Sequence, residues 1–212
     1  RDLVSDSQVK SGFVSEESPK PDDELEAMSP DEFLEFLMRW EPDEEDQSWE
    51  EMESGGLREV NQRGLAEAAS RVILANPTRY EDQIPQLGDA DAVYTATVLD
   101  NIREELDDAP QAFCQDFNWP PVFELCEEVA SNPGDWESSA RLSAARLMKK
   151  SFSSEAHESF LSYAGSTKKI LFELLDDPDP SPSRDRPPEG HAGHQNPMHV
   201  ALNAVRPVAL DS

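Results

Sequence analysis

Apolar side chains in this chain recur every three or four positions in successive stretches, most of them closed by a proline or a run of acid. In SPDEFLEFLMRW, residues 29–40, Phe33, Phe36, Leu37 and Trp40 share one face at helical spacing. Ser29 stands at the N-cap, Pro30 at the first helical position and Glu32 three residues after the cap, which is a capping box. From Leu57 the spacing predicts a second helix, with Leu57, Val60, Leu65, Ala68, Val72 and Ile73 on one side. Ala75-Asn76-Pro77 ends it, because the residue before a proline avoids the helical region. A short piece, TRYEDQIPQL, leads to a third helix over about 90–107, striped by Tyr94, Val98, Ile102 and Leu106.

The pattern continues with Val122, Phe123, Leu125, Cys126 and Val129, behind a pair of prolines that presets the backbone. A further helix, with Asp135 as its cap, turns Leu142, Ala145, Met148 and Phe152 inward. The next, EAHESFLSYAGSTKKILFELLDD, is capped by Ser154, points Phe160, Leu161, Ala164, Leu171, Leu174 and Leu175 inward, and has Gly165 as a possible bend. A last helix starts at Asn196-Pro197 and carries Val200 or Ala201, Ala204, Val205 and Val208. No stretch alternates apolar and polar with enrichment in Val, Ile and Thr, so a sheet is not expected.

The expected fold is therefore all-α: antiparallel helical hairpins stacked as a short α-solenoid, with an irregular helical bundle as the alternative. The endings ANP, SNP and DDP recur at roughly the spacing of helix pairs, and Trp49, Trp119 and Trp136 stand at helix entrances, which favours the stack. Four regions follow. Residues 1–28 form a flexible acidic segment, 29–178 the helical-repeat domain, 179–195 a Pro-rich loop, and 196–212 a last helix that the chain's end truncates.

Charge narrows the partners. The chain has 45 acidic and 18 basic residues, a net of −27, and residues 1–56 alone hold 19 acidic against four basic residues. Such a field repels phosphate backbones and anionic membrane surfaces, so neither nucleic acid nor membrane is the expected partner. A protein with a basic or neutral surface is. No apolar run approaches the roughly 20 residues that span a bilayer, and two cysteines are too few for a disulfide framework, so a cytoplasmic location is the expectation.

The blocks SPDEFLEFLMRWEP, GLAEAASRVILANPTRYEDQ, FNWPPVFELCEEVASNP, LLDDPDPSP and NPMHVALNAVRPVAL resemble a helical-repeat segment, HEAT-like or armadillo-like, of large multidomain bacterial proteins, some of them carrying NTPase modules of the NACHT type. The resemblance implies a non-catalytic scaffold or sensor segment that binds a protein partner, with no cofactor of its own. Neither G-x-x-x-x-G-K-[ST] nor G-x-G-x-x-G occurs in the chain, so any nucleotide chemistry is expected outside it.

Three constellations remain. His191, His194 and His199 lie within nine positions and suggest a metal site, since zinc takes imidazole ligands at short spacing. The surrounding Ala, Gly, Gln, Asn and Pro make a solvated loop the simpler reading. A small helical metal-dependent enzyme built on these histidines is the alternative function, and a free-standing acidic inhibitor that mimics nucleic acid is another. Asp43, Glu44, Glu45 and Asp46, with Trp49 beside them, form the expected landing surface for a basic partner. The acidic run lacks the central glycine and ligand rhythm of a calcium loop. A thiol-imidazole pair would need Cys114 or Cys126 to meet His157 on the helical body.

Overall fold

The computed structural model describes residues 14–42, 50–51, 57–108, 113–114, 117–132, 138–153, 157–177 and 205–210. They are mostly helical, as the periodicity predicts. Strand β1 is Val14–Glu17, followed by α1 (Asp22–Ala27) and α2 (Pro30–Arg39). Strands β2 (Glu50–Glu51) and β3 (Leu57–Val60) lead into α3 (Gln62–Ala75) and two 3-10 segments, Pro77–Arg79 and Pro85–Asp89. Then come α4 (Ala92–Asp108), α5 (Pro120–Ser131), α6 (Ser138–Ser153), α7 (His157–Phe160), a 3-10 turn Leu161–Tyr163, α8 (Ala164–Leu175) and α9 (Val205–Leu210).

The capping box forms as read. The Glu32 N–H donates to Ser29 Oγ at 3.3 Å and the Ser29 N–H donates back to Glu32 Oε2 at 2.9 Å. Ser29 Oγ also donates to Glu32 Oε2 at 2.7 Å, and this bond, with the one from the Ser29 N–H, holds the Glu32 carboxyl below its usual range. Phe33, Leu34 and Leu37 are buried, and Phe36 and Trp40 pack against the same core from its edge.

The sheet corrects the expectation of none. β1 pairs parallel with β3, Val14 opposite Leu57 and Glu17 opposite Val60, and β2 pairs antiparallel on the other side of β3. Leu57 and Val60 therefore belong to a strand and not to the helix their spacing predicts. Asn61 makes the division, because its side chain accepts the Gly64 N–H at 2.8 Å and so starts α3 at Gln62. Residues 14–28 correct the flexible segment in the same way: they hold β1 and α1, and Leu25 is fully buried. Asp22 of α1 takes the Arg71 guanidinium of α3 through Nε at 2.8 Å and Nη2 at 2.9 Å, which holds its carboxyl below the usual range.

The helices fall into two rows. In one, α3, α4, α6 and α9 follow one another as packed neighbours; in the other, α2, the Pro85–Asp89 segment, α5 and α8 do. Across the rows the 3-10 segment meets α4, α5 meets α6, and α8 meets α9. This is nearest-neighbour stacking of helix pairs. At the first end of the stack α1 and β1 cover α3, and at the other α9 packs on α6 and α8 as part of the same body.

Two inward assignments change. Leu161 is 60% exposed and Ala164 is exposed, whereas Phe160, Thr167, Ile170 and Leu174 are buried. The 3-10 turn at Leu161–Tyr163 breaks the expected single helix, and its three residues per turn rotate the phase of everything after it. Trp119 is a packing residue, edge-on to Phe160 at 4.6 Å between ring centres, while Trp49 and Trp136 lie outside the described residues. So do the capping positions Asp135, Ser154 and Asn196.

Candidate functional site

Two concave surfaces stand out, one polar and one apolar. The polar one is a cleft of about 390 Å³ across three successive helices of one row, α3, α4 and α6. Its floor includes Ala96 and Leu142, and its walls carry Arg63, Glu67, Asp100, Arg103, Glu104 and Arg146. Helical spacing explains the set: Glu67 follows Arg63 by one turn on α3, Glu104 follows Asp100 on α4, and Arg146 follows Leu142 on α6.

Hydrogen bonds tie the three helices to one another at this cleft. Ser143 Oγ, buried, donates to Asp100 Oδ2 at 2.9 Å, joining α6 to α4. Asn101 Nδ2 donates to Glu67 Oε2 at 3.2 Å, joining α4 to α3. Arg103 lies among Asp100 at 3.5 Å, Glu104 at 3.5 Å and Asp107 at 3.6 Å, and Lys150 of α6 also pairs with Asp107. Arg63 reaches Glu16 of the strand segment at 3.3 Å. Guanidinium groups and carboxylates thus compensate one another within the cleft. The arrangement can hold a polar segment by hydrogen bonds and paired charges.

The apolar surface is a groove of about 360 Å³ where α6, α8 and α9 meet, lined by Phe152, Leu171, Phe172, Leu175 and Ala209 with Thr167 and Lys168. Phe172 is 58% exposed there.

The acidic and histidine residues singled out from the sequence cannot be set against either surface. Asp43, Glu44, Glu45, Asp46 and Trp49, and likewise His191, His194 and His199, lie outside the described residues. Among the described residues no group of three His, Cys, Asp or Glu side chains is placed to hold a metal ion. Cys126 faces the core with its thiol pushed up to about 12 by burial, and burial also raises Cys114. His157 is exposed at the start of α7. A buried, protonated thiol is not a nucleophile, so neither cysteine makes the pair with His157 that catalysis would need. Both cysteines are free.

The cleft residues were hidden by their ordinariness. Each belongs to the polar stripe of its own helix, where charged residues at one-turn spacing normally face water. Only the neighbour relation of α3, α4 and α6 assembles three stripes into one surface. Among the described residues no helix is long and apolar enough to cross a membrane. Comparison with protein-family models, with curated proteins and with solved structures finds no match for this chain.

Proposed function

We propose that this chain is a non-catalytic interaction scaffold, a helical-repeat segment of a larger bacterial protein, that holds a protein partner in the cleft across α3, α4 and α6. The observation that carries the reading is the cleft itself: three neighbouring helices of one row contribute interleaved arginines and carboxylates to one concave surface. Stacked repeats use such extended faces for binding. A partner segment lying there is matched by donors and acceptors of both signs, which gives register and specificity. The net charge of −27 favours a partner that is basic or neutral overall.

The test is selection of peptides from a random library on the immobilised chain, followed by affinity measurement in solution. Thr97, half-buried on the cleft wall, is the position to block. Selected peptides are expected to bind Thr97→Arg at least about tenfold more weakly, a loss of about 1.4 kcal/mol. Peptides that fail to enrich, or that bind the blocked variant equally well, would sink the reading.

A further inference from the structure

We propose that the groove between α6, α8 and α9 is a binding site for a small amphiphile, an apolar chain carrying one carboxylate, of the medium-chain fatty-acid class. The site is separate from the cleft and the proposal does not depend on it.

The wall chemistry sets the body of the ligand. Phe152, Leu171, Phe172, Leu175 and Ala209 make the groove predominantly apolar, and its volume of about 360 Å³ falls in the range of small-molecule sites, roughly 300 to 1,000 Å³. Phe172, more than half exposed on the outer turn of α8, gains most from being covered.

Lys168 sets the head. Among the described residues it is the one charged side chain lining the groove, and its Nζ lies 5.6 Å from the centre of the Phe172 ring. Among the described residues it has no carboxylate partner, in a chain with 45 carboxylate side chains. Its neighbour Lys169 pairs with Glu127 at 2.6 Å, and Lys20, which also lies over a phenyl ring, pairs with Glu24 at 3.1 Å. An unpaired ammonium at the lip of an apolar groove is complementary to an anion attached to an apolar chain.

Thr167 closes the wall between Ala164 and Leu171 without presenting its hydroxyl to the groove. It is 5% exposed, and its hydroxyl has no hydrogen-bond partner among the described residues. The overall negative charge opposes any anion, but at 0.15 M salt the screening length is about 8 Å, so the local lysine outweighs distant carboxylates.

Calorimetric titration of the full chain with sodium decanoate below its micellar concentration tests the proposal, with decyltrimethylammonium as the charge-reversed probe. Decanoate is expected to saturate at one per chain and to outcompete the cation. Lys168→Ala should weaken it up to about fivefold, the scale of an exposed ion pair, and Lys168→Glu further. Phe172→Ser, at an exposed position that leaves the fold intact, should weaken both probes. Absence of saturation, equal affinity for the cation, or a dissociation constant unmoved by Lys168→Glu overturns the assignment. So does an amide-shift map whose changes fall outside Thr167–Leu175, Phe152 and Ala209.

Discussion

Arg141 is a charged side chain in the core, 2% exposed, and it holds three elements at once. Its Nη1 donates to the Val129 carbonyl at 2.7 Å and the Ala130 carbonyl at 2.9 Å, and its Nε donates to Asp177. It thereby occupies the open carbonyls at the end of α5 and anchors the chain just past α8. Removing it would take a charged partner from the buried Asp177 carboxylate and uncover the two carbonyls. Arg141→Ala is therefore expected to cost about 3 to 5 kcal/mol in urea unfolding, far more than loss of an exposed pair such as Arg39 with Glu35. Tyr94 is the opposite case. It is fully buried, burial raises its pKa, and its hydroxyl has no partner among the described residues. Tyr94→Phe should be neutral or stabilise by up to about 1 kcal/mol in the same experiment, because an unmet hydroxyl is removed at constant shape.

Helix α3 is crowded against the end of β1 at Gly64. A side chain on Gly64 would place its first carbon 2.2 Å from the Glu17 carbonyl oxygen, closer than any atom can sit, and the obstacle is backbone. The same carbonyl accepts the Asn61 N–H at 3.2 Å, so cap, strand end and helix start are fixed together. Gly64→Ala should cost about 1 to 3 kcal/mol by overpacking. Hydrogen exchange should accelerate in β1 and β3 first, while the amides of α5 and α6 keep their protection. The small sheet also explains why local pattern misjudged this end of the chain. Leu57 and Val60 are three apart and fit a helix face, and β1 is too short and too polar to announce itself. The partner that makes them strands lies on the far side of α1 and α2 in sequence.

Taken as one body, the molecule carries a charge that its surface pairs do not balance. With a net of −27, carboxylate repulsion acts on the folded state more than on the expanded chain. Raising ionic strength from 0.01 to 0.15 M shortens the screening length from about 30 to about 8 Å. The melting temperature is therefore expected to rise with salt, as calorimetry at neutral pH would measure. A fall would mean that exposed pairs such as Arg71 with Asp22 outweigh the net field, against their usual worth of about 0.2 to 1 kcal/mol each.

Helix existence, the capping box at Ser29, the stripe of α4 and the buried face of α5 were all legible locally, because each depends on residues within one or two turns. So was the stacking of helix pairs, from punctuation that recurs along the chain. Three things were decided by tertiary structure alone. β1 becomes a strand only against β3. Arg141 is tolerated in the core only where the end of α5 and Asp177 converge on it. The polar cleft and the apolar groove exist only where α3 with α4 and α6, or α6 with α8 and α9, come side by side. Periodicity reports which face of a helix avoids water. It carries no record of which polar faces will share an edge, since that depends on neighbours whose separation in sequence no local interaction senses.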